Sequence, residues 1–170
     1  MPLKIRQATQ ADLMLLNELG NNIYRAHFKH MWASESEMND FLECEYALST
    51  LEHSLKEYGV CWYLAETDHP IGFAKVTWEC TIPDTEISGV LLNKLYLDPA
   101  ETRKRYGQLM FDEITELARR RGKKFLWLEV LEQNDRACKF YSKLGMRHIK
   151  DTYFKTTSQQ SRLKIMGVSI

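Results

Sequence analysis

The sequence predicts an α/β chain, a mixed sheet with helices on its faces, in the order β-α-α-β-β-β-α-β-α-β-β. Three observations carry that reading. Short runs such as LKIRQA (3–8) alternate apolar and polar residues as half-buried strands do. Leu13, Leu16, Leu19 and Ile23 recur at helical spacing, as do Met110, Ile114, Leu117 and Ala118. Between residues 91 and 145 strands alternate with helical segments, and Gly122 and Gly145 stand where helices end. A chain of 170 residues has room for one domain, 1–170, with enough burial to fold without disulfides or metal.

After the first strand, Thr9 is placed to cap a helix whose first turn holds Asp12. Residues 35–57, with Phe41, Leu48, Leu51 and Leu55, read as a second helical region that is broken or loosely ordered. CWYLAE and PIGFAKVTW, separated by T-D-H-P, form a hairpin signature. VLLNKLYLD is apolar enough for a central strand, and Asp98-Pro99 stops it. From Gly107 a helix runs to Arg119, Arg120 and Arg121, whose charges favour the negative end of the helix dipole. FLWLEV is the next strand. Asn134 or Asp135 caps a helix carrying Ala137, Phe140, Tyr141 and Leu144 on one face, and strands near 146–155 and 162–169 close the chain.

Lys plus Arg number 23 and Asp plus Glu number 23, so the net charge is zero. That balance argues against a dedicated nucleic-acid binder, whose affinity would come from surplus cations on phosphates. The N-terminus has no apolar core for a secretory signal, and no run is long enough to span a membrane, so a cytoplasmic protein is expected. Cys44, Cys61, Cys80 and Cys138 include no C-x-x-C, and the five histidines no H-E-x-x-H, so reduced thiols and no metal are expected. The balance hides two poles. Residues 35–57 hold seven acids against Lys56 alone, and residues 101–124 hold eight bases against four acids.

The chemistry concentrates where a strand passes through D-P-A-E-T-R-K-R-Y-G-Q into a helix. A helix start offers unpaired N–H groups to a phosphate, and Arg103, Lys104 and Arg105 add charge there. Neither G-x-G-x-x-G nor G-x-x-x-x-G-K-[ST] is present, which removes dinucleotide and P-loop readings. Leu97-x-Pro99-x-x-Thr102-x-x-Arg105-x-Gly107 stands where the GNAT acetyltransferases carry V-x-P-x-x-[RQ]-x-x-G-x-[GA]. Asn134 and A-C-K-F-Y-S-K-L-G-M (Ala137 to Met146) resemble that family's N…A-x-x-F-Y-x-K-x-G-F segment. The opening IRQATQADL and the strand IGFAKV suit the family as well, so the resemblance spans nearly the whole chain.

The resemblance implies a mostly antiparallel GNAT-like sheet and an acetyl-CoA-dependent N-acetyltransferase. It also implies the site. Leu95, Tyr96 and Leu97 would pair through their backbone with the pantetheine arm, and Asn134 would hydrogen-bond that arm. Arg103, Lys104, Arg105, Tyr106, Gly107 and Gln108 would meet the phosphates, with Lys143 near them or on the surface. Thr102 and Arg105 depart from the family pattern; Arg105 replaces a glycine, and its side chain could contact a phosphate directly. Tyr141 would be the general acid, a phenol of pKa ~10 able to protonate a departing thiolate of pKa ~8.5. By spacing alone Tyr141 reads as a core residue beside Phe140. For the base, Glu129, Glu79, Asp84 and a water chain stay open. Tyr24, Phe28, Trp32 and Trp78 would wall the acceptor pocket, and aromatic faces attract cations.

The acidic segment, with the F-L…L…L-K-E-Y-G-V and Y-F…Q-Q-S-R-L-K-I-M runs, makes the chain similar to the polyamine-acetylating branch. A protein or peptide acetyltransferase, or a non-catalytic CoA-binding module, are the alternatives. Apolar strand edges near the C-terminus would suit a homodimer.

Overall fold

The computed structural model describes residues 2–170. β1 (Lys4–Gln7) leads into a 3-10 turn (Gln10–Asp12) and α1 (Leu13–Phe28). Thr9 caps this entry as its chemistry predicts. Its hydroxyl accepts from Ala11 N, and Asp12 reaches back to Thr9 N at 2.8 Å. Arg6 clamps the same corner, donating to both Asp12 oxygens at 2.9 Å and to Glu66. The acidic region forms two helices, α2 (Glu35–Tyr46) and α3 (Leu48–Lys56), broken at Ala47, whose ψ of 145° is extended.

β2 (Val60–Glu66), β3 (Pro70–Thr81) and β4 (Ser88–Leu97) follow as an antiparallel meander. Asp98 caps a 3-10 turn at Pro99, and α4 (Tyr106–Arg120) begins one residue before Gly107. Then come β5 (Phe125–Leu131), α5 (Asp135–Lys143) capped by Asn134, β6 (Arg147–Lys155) and β7 (Gln160–Ser169). Gly122 (φ 76°) and Gly145 (φ 92°) end α4 and α5 in the left-handed conformation that glycine adopts without strain.

Among the described residues, the seven strands form one sheet in the order β1-β2-β3-β4-β5-β7-β6, antiparallel except between β4 and β5. Helices α1, α2 and α3 pack one face around Leu16, Met38, Leu42, Tyr46, Trp62 and Phe73. The other face meets α4 and α5 around Val76, Leu92, Met110, Ile114, Leu128 and Tyr141.

The pair β4–β5 positions the site. Its register comprises two positions, Val90↔Leu126 and Leu91↔Trp127. Lys75 faces Lys94 and Val76 faces Leu92, so Asn93 is an extra residue, a bulge whose amide oxygen accepts from Thr77 Oγ1 at 2.8 Å. A bulge bends and twists its strand, and past this one β4 leaves β5. From Lys94 to Leu97 the β5-facing edge of β4 has no strand partner.

Candidate active site

Where β4 and β5 diverge, a cleft of about 660 Å³ opens through the sheet between its two helical layers. Leu92 to Leu97 form one wall and Leu128 to Leu131 the other. On the side away from β3, the backbone of Lys94–Tyr96 has no strand partner among the described residues and is open to an extended ligand that carries amides.

At one end of the cleft lie Thr102, Arg103 and Arg105 from the loop before α4 and Gly107 and Gln108 from its first turn, with Asn134 and Arg136 from the start of α5. Arg103 and Arg105 hold φ of 70° and 65°, left-handed values that cost an L-residue roughly 1–2 kcal/mol each. The Asn134 oxygen accepts from Ala137 N at 3.2 Å to cap α5, leaving its amide donors outside that bond. Lys104 turns away and donates to Glu101 at 2.9 Å, Tyr106 packs into the core under α4, and Lys143 is exposed; these three do not line the cleft. His27 donates from Nε2 to the Leu97 carbonyl at 2.6 Å, tying α1 to the end of β4.

Tyr141 reaches the cleft from α5. It is 9 % exposed, and burial, with nothing opposing it, raises its phenol above the ordinary value. The Tyr96 phenol is also raised, by burial first and then by the neighbouring Tyr24 and Tyr141 phenols. Glu129 stands on β5, one position past Leu128, and opens into the cleft. The residue is exposed to the cleft, yet its surroundings bury the carboxyl enough to raise its pKa above the ordinary 4.5. The alternatives for a base lie elsewhere: Glu79 is tied to Lys123 and Ser88, and Asp84 sits on an exposed turn beside Lys150.

Beyond this centre the cleft is aromatic. Tyr24, Phe28 and Trp32 line it, joined by Phe41, Tyr96 and Phe154. Centroids of Trp32, Phe41 and Phe154 stand 5.4–5.7 Å apart, and Trp32 Nε1 donates to Tyr24 Oη at 3.1 Å. Trp78 requires a correction. Side chains alternate across β3, so Phe73 and Lys75 face the acceptor layer while Ala74, Val76 and Trp78 face α4. Trp78 is buried there, donating to Cys61 Sγ and lying 4.2 Å beneath the Arg121 guanidinium.

The acidic pole also resolves differently from its sequence. Among the described residues, Glu45 alone of the seven acids lines the cleft, and it accepts from Lys94 Nζ at 2.9 Å. Glu37 accepts from Thr156 and Ser158, and the other five are exposed. The basic pole divides too: Arg119 and Arg120 pair with Glu116 at the far end of α4.

Sequence reasoning missed Arg136, Phe41, Phe154, Gln159 and the Glu45–Lys94 pair. Gln159 joins the β6–β7 turn to the segment after α1, accepting from Ala33 N at 2.7 Å and donating to Met31 O at 3.2 Å. Local patterns carry no signal for these contacts; the F-Y-x-K-x-G context did carry one for Tyr141.

The match of residues 24–146 to the model of the acetyltransferase (GNAT) family covers well over half the sequence, and the chain belongs to that family. It is similar in fold to the PaiA N-acetyltransferase of Thermoplasma acidophilum solved with coenzyme A (TM-score 0.79, 23 % identity, 100 % of both chains). It is similar also to the ribosomal-protein-S18-alanine N-acetyltransferase of Escherichia coli (0.68, 18 %, 99 % of this chain and 94 % of that one). A third likeness is to YncA, a putative acetyltransferase of Salmonella typhimurium solved with acetyl-CoA (0.65, 18 %, 99 % and 94 %). Fold alone does not name an acceptor, so the amine is left to be read from the cleft.

Proposed function

We propose that this chain moves the acetyl group of acetyl-CoA to the primary amine of a small cationic molecule by direct attack. One observation carries the reading: the β4–β5 opening meets an unopposed phenol, Tyr141, from α5 and a desolvated carboxyl, Glu129, from β5. The residues fit the donor. The open edge of Lys94–Tyr96 suits the amides of its arm, and Arg103, Arg105 and Arg136 bring three cations to the end where phosphates would lie.

An amine of pKa ~10 arrives protonated. Glu129 pairs with that ammonium and takes one of its protons, and its raised pKa makes it a better acceptor than an ordinary carboxylate. The freed lone pair forms the C–N bond as the C–S bond breaks, Tyr141 gives its proton to the departing sulfur, and the second proton shed by the newly bonded nitrogen restores the phenol, leaving a neutral amide and the CoA thiol. The cleft supports one cation better than several, because Glu45 is already neutralised by Lys94. That weighs against the polyamine drawn from the linear acid count.

The test is a thermal melt with acetyl-CoA followed by amine-dependent release of CoA thiol. At 100-fold over Kd, binding adds ~2.7 kcal/mol, or roughly 5–11 °C in Tm for a chain of this size. No shift and no thiol release with any primary amine would refute the proposal.

A further inference from the structure

We infer that the acceptor is a small monoamine with an aromatic or bulky apolar body, its single charge held at Glu129. The inference rests on the acetyl-transfer reading and names the substrate class for that same cleft. Two features carry it, one of charge and one of shape.

Among the described residues two carboxylates line the cleft, Glu45 and Glu129. Glu45 is paired with Lys94, whose side chain is 11 % exposed and lies 5.2 Å from the Tyr46 ring centroid. Lys75 stands close enough that Lys94 helps burial to lower its pKa. A second or third ammonium on the acceptor would therefore meet Lys94, with the charge of Lys75 behind it, and one carboxylate already satisfied. Glu129 has no ion-pair partner among the described residues, and one carboxylate balances one ammonium.

The rest of the acceptor arm is mostly ring surface, with Met31, Gln159, Ser161 and Leu163 between the rings. Tyr24, Phe28 and Tyr96 meet edge to face or tilted, with centroids 4.7–6.4 Å apart, and Trp32, Phe41 and Phe154 continue the wall. Such a wall gains from an aromatic guest both by buried area and by edge-to-face contacts. Its outer end is bridged. Gln159 bonds both Met31 O and Ala33 N, and Glu37 holds Thr156 and Ser158, so the β6–β7 turn is fastened across the segment after α1. That bridge favours a compact guest over a peptide that must leave the site as an extended chain.

The experiment compares initial rates of CoA-thiol release with 2-phenylethylamine, spermidine and an alanine-leading peptide, with acetyl-CoA saturating. The expected result is a kcat/KM for 2-phenylethylamine at least tenfold above the other two. Equal or better turnover of spermidine or the peptide would overturn the inference and leave acetyl transfer intact. Thiol release with none of them, while acetyl-CoA still raises Tm, would overturn the transfer reading itself, and the inference with it. A second measurement separates recognition from damage to the fold. Trp32→Ala should raise KM for 2-phenylethylamine about tenfold while leaving KM for ethylamine within twofold. An equal rise for both amines, or no rise for either, would count against the aromatic wall.

Discussion

Replacing Arg105 with glycine should make the free protein more stable and its grip on acetyl-CoA weaker. Arg105 caps α4 at φ 65°, ψ 11°, where its Cβ crowds the backbone at a cost of ~1–2 kcal/mol that glycine escapes. Glycine also enlarges the unfolded ensemble, returning ~0.4–1 kcal/mol. The balance is a gain near ~1 kcal/mol, which in a chain of this size raises Tm by ~2–4 °C. The guanidinium, however, is one of three at the cationic end of the cleft. Because it is exposed and screened, its loss should weaken acetyl-CoA binding by roughly tenfold at low salt and less at high salt. Melting curves of the free variant and calorimetric titrations at two salt concentrations measure both effects. An unchanged Kd at both salts, or a lower Tm, would refute the reasoning that strain is kept here for the side chain.

With Glu129 as the proposed base, kcat/KM of the parent should fall as pH drops through its raised pKa, and Glu129→Gln should abolish that acid limb. The same variant should melt higher at neutral pH. A carboxyl raised by burial binds its proton more tightly folded than unfolded, so it destabilises above both pKa values. That gain should fade as pH falls through the folded pKa and vanish below the ordinary 4.5; a constant gain would contradict it. Gly20→Ala, in the middle of α1, places a methyl into the ring of Tyr46, which is fully buried. Despite alanine's better helix propensity, overpacking should cost ~1–3 kcal/mol, a fall of roughly 2–12 °C in Tm. A stabilised variant would show that the ring can move.

Elements fixed by local chemistry were legible in the sequence. Thr9 and Asn134 accept the backbone N–H groups their helices leave over, and Gly122 and Gly145 adopt the left-handed turn that their helix ends need. The strand–loop–helix at 91–121 was legible for the same reason. What failed was whatever depends on direction or on distant partners. Seven acids in a row of residues say nothing of their sides: Met38, Leu42 and Tyr46 turn inward at four-residue steps, so Asp40 and Glu43 face solvent. Trp78 differs from Phe73 by an odd number of positions, which sends it through the sheet to the other face. Phe154 and Gln159 reach the cleft through the β6–β7 register and contacts spanning more than a hundred residues, information that no window of sequence holds.

The central claim is that Tyr141 protonates the departing thiolate in a cleft that binds acetyl-CoA without its help. Tyr141→Phe removes one oxygen and keeps the packing beside Phe111 and Phe140. Measured together, kcat should fall by ~10²–10⁴-fold while the Kd for acetyl-CoA stays within about twofold of the parent, because the phenol contributes to the transition state and not to holding the donor. An unchanged kcat with intact binding would contradict the account.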